Sequence, residues 1–102
     1  MKLGNIAHSR TGDKGNLVNI SVIVYDQKHF KRLVEVLTPE AVISHFGERI
    51  KGGVDRYLLP QLGAMNFVCH DALEGGVTSS TLLDKHGKSM SSYLLELEVG
   101  EV

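Results

Sequence analysis

Leu17-Val18-Asn19-Ile20-Ser21-Val22-Ile23-Val24-Tyr25 decides how the rest of this chain is read. Val18, Ile20, Val22 and Val24 fall on one side; Asn19, Ser21, Ile23 and Tyr25 fall on the other. Alternation with period two, carried by β-branched residues, is the signature of a strand. One side of that strand needs an apolar cover. The other mixes polar and apolar groups, as expected of a face that is wet, held against a partner or lining a site.

Upstream, Lys2–His8 reads as a short strand. Between the two strands lies Ser9-Arg10-Thr11-Gly12-Asp13-Lys14-Gly15-Asn16, a run of turn chemistry with two glycines. The sequence therefore predicts a polar loop over Ser9–Asn16. Downstream, Asp26 is an N-cap candidate for a helix over 28–37. There Phe30, Leu33, Val34 and Leu37 form one apolar stripe. Thr38-Pro39-Glu40 starts a second helix: Thr caps, Pro fits the first position and Glu suits the positive end of the dipole. Val42, Ile43 and Phe46 form its buried side, and Gly47 or Ile50 ends it.

Gly52-Gly53 marks a turn. Val54–Leu59 reads as a strand stopped by Pro60, and Gly63–His70 as another. In the latter, Met65, Phe67 and Cys69 oppose Ala64, Asn66, Val68 and His70. Thr78–Met90 is read as a helix, against the opposition of Gly87 and the serines. Leu95, Leu97 and Val99 alternate with Glu96 and Glu98, so Tyr93–Val99 reads as a closing strand. The order β, loop, β, α(α), β, β, α, β predicts an α+β, ferredoxin-like sandwich. Its sheet is mostly antiparallel, with an added N-terminal strand and helices on one face. The expected organisation is a single domain over residues 1–102.

Bulk composition narrows the function classes. The chain has 102 residues, and 42% of them are hydrophobic, enough for one ordinary core. Eleven basic residues against twelve acidic ones give a net charge of −1, which argues against a nucleic-acid binder needing a basic face. Six aromatics, none of them Trp, leave little for base stacking. Cys69 is the only cysteine, so an internal disulfide is excluded and a reducing, cytoplasmic setting is expected. No apolar run approaches the ~20 residues of a membrane span, and the polar N-terminus lacks a signal-peptide core. The sequon at Asn19 falls inside a predicted strand and carries no weight.

The chemistry concentrates in Ser9–Asn16. A hairpin needs only one or two turn residues, and eight is more than geometry requires. Gly12 and Gly15 permit a backbone that aims successive N–H groups at an anion. Arg10 and Lys14 add positive charge, and Arg is a planar two-pronged donor for phosphate or carboxylate. Asp13 can steady Lys14 or Arg10, or act as a base. The bland alternative is an exposed loop held by internal salt bridges. The P-loop spacing is absent. A second cluster, Glu74-Gly75-Gly76-Val77-Thr78-Ser79-Ser80, offers N–H groups to an anion, or else a plain turn with Thr78 as N-cap. The five histidines show no metal spacing, so no metal and no cofactor is expected. His8 and His70 stand at strand ends, where one can sit beside the loop as an acid or base, although a structural or exposed role is the reading favoured for each. Cys69 is expected to pack in the core.

The stretch Ala7-His8-Ser9-Arg10-Thr11-Gly12-Asp13-Lys14-Gly15-Asn16, followed by Asn19-Ile20-Ser21-Val22-Ile23, resembles a known domain. It is similar to the opening of the small ferredoxin-fold domain at the C-terminus of AtuA-like (acyclic terpene utilisation) proteins. The likeness continues through Val54-Asp55-Arg56-Tyr57, Leu59-Pro60, Ala64-Met65-Asn66-Phe67-Val68, Ala72-Leu73, Gly75-Gly76-Val77-Thr78, Asp84 and Gly87-Lys88, and so covers nearly the whole chain.

The resemblance implies ligand-binding positions at Ser9, Arg10, Gly12, Asp13, Lys14, Gly15, Asn16, Asn66, Gly75 and Gly76. The chain departs from the family pattern at Glu74, where a third glycine is usual, and at Ser79, where Arg is frequent. The second departure weakens a phosphate or CoA role for that cluster. The larger proteins act in bacterial pathways that degrade branched acyl chains as CoA thioesters. A stand-alone small domain is then expected to be an accessory subunit. It would complete an anion or acyl-CoA site on a larger AtuA-like partner. The alternatives are a self-contained homo-oligomeric binding protein or small enzyme, with an acyl-CoA or small carboxylate as ligand, or a structural domain with an interaction surface. No catalytic residue is assigned.

Overall fold

The computed structural model describes residues 1–15, 17–72 and 89–100. After a 3-10 turn at Leu3–Asn5 come β1 (Ala7–Lys14) and β2 (Leu17–Val24). A 3-10 turn at Gln27–His29 leads into α1 (Phe30–Val36), followed by α2 (Pro39–Phe46). β3 (Val54–Leu59) and β4 (Ala64–Cys69) come next, and the last described helix is α3 (Ser89–Leu94). The four strands form one antiparallel sheet in the order β1-β2-β4-β3.

The β2 alternation is the organising feature. Val18, Ile20, Val22 and Val24 are buried, and the register sets Val18 beside Cys69, Ile20 beside Phe67 and Val22 beside Met65. Phe30, Leu33, Leu37, Val42, Phe46, Met90 and Leu94 from the helices complete this core. The helices thus cover one face of the sheet, as a ferredoxin-like α+β arrangement requires.

Local signals in the middle of the chain act as read. The Asp26 carboxylate accepts from the Lys28 N–H at 3.1 Å. The Thr38 hydroxyl accepts from the Ala41 N–H at 3.1 Å, with Pro39 in the first turn. Gly63 closes the β3–β4 connection in the left-handed region at φ 61°. A Cβ there would stand 2.9 Å from Val24 Cγ2. Gly63→Ala is expected to cost about 1–2 kcal/mol in urea unfolding, through both the conformation and the contact.

Three expectations are corrected at the chain's ends. The strand predicted over Lys2–His8 starts instead at Ala7, and the polar loop predicted over Ser9–Asn16 is strand as far as Lys14. Only Gly15 and Asn16 connect β1 to β2. Pairing along the whole length of β2 overrides the turn-like composition, because β1 lies at a sheet edge where polar side chains meet water.

The strand predicted over Tyr93–Val99 is also overturned. Tyr93 belongs to α3, and only Glu98 makes an isolated bridge, to Lys2. The alternation there is real, since Leu97 and Val99 are buried and Glu96 and Glu98 exposed. This stretch pairs with the N-terminal segment rather than the sheet: Leu3 N–H donates to Leu97 O and Val99 N–H to Met1 O. In a βαββαβ unit the last strand flanks the first; here β1 holds that edge. The helix predicted over Thr78–Met90 lies, up to residue 88, outside the described residues.

No described helix is long and apolar enough to cross a membrane. Cys69 is buried, and burial pushes its thiol up to about 12.

Candidate functional site

Paired residues in an antiparallel ladder share a face, so the register defines what the uncovered side of the sheet presents. One row runs Arg10, Ser21, Asn66, Tyr57 across all four strands. The row on one side of it is His8, Ile23, Ala64, Leu59, and on the other Gly12, Asn19, Val68, Asp55. Arg10, Asn19 and Tyr57 are exposed, while Ser21 and Asn66 are half-buried.

Arg10 differs from Arg49 and Arg56 in having no partner among the described residues. Arg56 spends its guanidinium on the carbonyls of Val34 and Leu37, at 2.8 and 2.9 Å. Arg49 lies over the Tyr93 ring, 4.7 Å from its centroid. Arg10 makes no hydrogen bond or ion pair among the described residues. An exposed, planar, uncommitted guanidinium beside a hydroxyl, an amide and a phenol is a set of donors suited to a carboxylate or phosphate.

Two further groups frame the face. His70 Nε2 and Asp55 Oδ2 stand 2.8 Å apart. The His8 ring stacks on Tyr25 with centroids 5.4 Å apart, and Tyr25 is 68% exposed.

The strand geometry splits the candidates expected to act together. Arg10, Gly12 and Asn66 share the open face, and Lys14 continues it in register, opposite Leu17. Ser9 and Asp13 pair with Val22 and Val18, and so lie on the helix side. Asp13 is exposed there, whereas the Ser9 hydroxyl is buried with no partner among the described residues. Gly15 takes a positive φ of 65° in the connection. Asn16, Gly75 and Gly76 lie outside the described residues.

Tyr57 and Asp55 are additions that the sequence reading missed. The signal was the period of Val54–Leu59, which sets Asp55, Tyr57 and Leu59 on one side. A shallow groove of about 370 Å³ lies elsewhere, lined by Lys2, Gly4, Asn5, Ser92, Leu95 and Glu96. Its charges are already paired. The Lys2–Glu96 hydrogen bond of 2.7 Å holds the Glu96 carboxyl below its ordinary range and the Lys2 ammonium above its own. Among the described residues, no three His, Cys, Asp or Glu side chains gather to hold a metal.

A family model described as the AtuA ferredoxin-like domain matches residues 1–100. The chain belongs to this family. Comparison with curated proteins and with solved structures finds no match. The matched span of this AtuA ferredoxin-like domain includes the β1–β2 hairpin that presents Arg10 and Ser21.

Proposed function

We propose that this AtuA ferredoxin-like domain, residues 1–102 acting as one unit, is an accessory binding subunit of a larger AtuA-like protein. It would complete there a site for an anionic ligand of the carboxylate or acyl-CoA class, in acyl-chain or terpenoid catabolism within the cytoplasm. The observation that carries this reading is the exposed Arg10, uncommitted among the described residues, on a sheet face that the described helices leave uncovered. Arg10 and Tyr57, at the two ends of the row, are exposed, which suits a surface completed by a second body. Ser21, Asn66 and Tyr57 would share the anion's oxygens. Gly12, Lys14, Gly15 and Asn16 would shape the end of the hairpin, and Gly75-Gly76 would add backbone donors. Ser9 and Asp13 would act from the helix side, by steadying β1.

Co-purification with a larger AtuA-like protein tests the reading. Wild type is expected to associate at micromolar concentration and to gain thermal stability with a CoA thioester. Arg10→Ala is expected to lose the ligand shift. Failure of the wild type to associate at that concentration contradicts the accessory role.

A second reading, a self-contained small enzyme or binding protein, draws on the His70–Asp55 pair, in which a carboxylate orients an imidazole. Ligand binding by the isolated chain that needs His70, with no larger partner, would favour it.

A further inference from the structure

Neither backbone conformation nor packing within the single copy requires a glycine at position 12. Gly12 lies inside β1, and it is not among the glycines at positive φ. A Cβ built on it would meet nothing within 4 Å. Glycine inside a strand weakens it, and such a residue often marks the close approach of another backbone or a ligand.

The outer edge of β1 offers such a backbone contact. Tyr25 N–H donates to Ile6 O at 3.0 Å. The ladder alternates, so the even-numbered residues of β1 bond inward to β2. The peptide groups of Ala7, Ser9, Thr11 and Asp13 therefore point outward, and among the described residues no backbone bond beyond the ladder reaches them, although the Ser91 N–H of α3 donates to the Thr11 hydroxyl at 2.9 Å. Ala7 is fully buried and cannot accept a neighbouring strand; Ser9 and Thr11 are half-buried and Asp13 is exposed.

Charge ranks the registers open to a second copy. Consider a second copy pairing antiparallel through the same edge. A two-fold axis at Arg10 sets Arg10 against Arg10 and calls on the buried Ala7. An axis at Gly12 sets Arg10 against Lys14. An axis at Thr11 sets Arg10 against Gly12, His8 against Lys14, and Ser9 against Asp13. Of these three registers only the last keeps Arg10 from directly facing another cation, and it uses only Ser9, Thr11 and Asp13 as outward-bonding residues. It also sets the unpartnered Ser9 hydroxyl opposite an exposed carboxylate.

We propose that two copies of this chain join through β1 about an axis at Thr11, and that the two Arg10 side chains form one anion clamp. In this register they lie diagonally across the axis on the open face, at a spacing of about 7–8 Å. Thr11 points to the other face, so only the Gly12 backbones lie between them. Two guanidinium groups at that spacing repel each other until a phosphate or carboxylate bridges them. Assembly is therefore linked to the anion: whatever binds the dimer's clamp favours the dimer. This inference rests on the reading of Arg10 as the anion contact, and it leaves the rest of the open face free for a larger partner.

Sedimentation velocity on the whole chain, with inorganic phosphate or coenzyme A against chloride of equal ionic strength, tests it. The expected result is a dimer constant about tenfold tighter with phosphate. A comparable shift with coenzyme A but not phosphate would identify the thioester carrier as the source of the anion. Arg10→Ala is expected to lose the anion response. Asp13→Pro removes an outward N–H at a position where edge strands tolerate proline, and is expected to stay monomeric. Gly12→Val, whose side chain has free space in the single copy, is expected to keep the fold while crowding the Arg10 opposite. A wild-type chain that stays monomeric while an amide titration shows phosphate at Arg10 overturns the dimer and leaves the proposed function standing. No binding and no assembly with either anion removes the dimer and takes away the anion reading of Arg10 as well. An undiminished response in both Asp13→Pro and Gly12→Val also overturns the β1 edge.

Discussion

Phe67→Ala is expected to lower the unfolding free energy by about 3–5 kcal/mol, the usual cost of emptying a buried aromatic site. Phe67 is fully buried in β4, an inner strand of the sheet, between Ile20 on β2 and Arg56 on β3. Helices close the space above it, so the side chains around the cavity have little freedom to collapse. A domain of this size has about 5–15 kcal/mol in all, so the variant should lie near the edge of folding, with a midpoint lower by on the order of 20 °C. Tyr57→Ala is the control. It removes an aromatic from the neighbouring strand but on the open face, where the side chain is 55% exposed. Its cost should stay below about 1 kcal/mol. Thermal melts of the two variants read the two faces of the sheet directly.

Arg56→Met is expected to cost about 2–3 kcal/mol. The Arg56 side chain leaves β3 on the helix side and donates to the carbonyls of Val34 and Leu37. These belong to the end of α1, where carbonyl oxygens have run out of helical partners. One cation thus caps a helix and ties it to the edge strand of the sheet. Methionine keeps the apolar stem and leaves two partly buried carbonyls without a donor. Arg56→Lys should recover only part of the loss, since a point charge on a flexible stem does not replace the fixed fork of donors. Urea unfolding, with the slope unchanged and the midpoint lowered, is the measurement. Faster amide exchange confined to α1 would mark the local origin.

The middle of this fold was legible because its signals are local. The β2 alternation, the caps at Asp26 and Thr38, and the apolar stripes of the two helices each act within a few residues. β3 and β4 lie between clear breakers, Gly52-Gly53 and Pro60. The ends were not legible, because their conformation is set by distant partners. Ser9–Lys14 has the composition of a loop and becomes a strand only because β2 offers a full-length ladder. Leu95–Val99 has the alternation of a strand yet pairs with Met1–Leu3, a choice no local pattern encodes. The candidate site suffered the same way. Arg10, read into a loop, lies in β1 on the same face of the sheet as Asn66, with Ser21 between them. Asp13 and Ser9 were grouped with them because a loop has no faces, whereas a strand has two.

The account rests on the open face around Arg10 being the surface that meets an anion. An amide-by-amide NMR titration of the whole chain with coenzyme A tests this most directly. The account predicts shifts concentrated at Arg10, Gly12, Ser21, Tyr57 and Asn66, and their loss in Arg10→Ala. Shifts confined to the groove at Lys2–Asn5 and Glu96, with the Arg10 row silent, would contradict it.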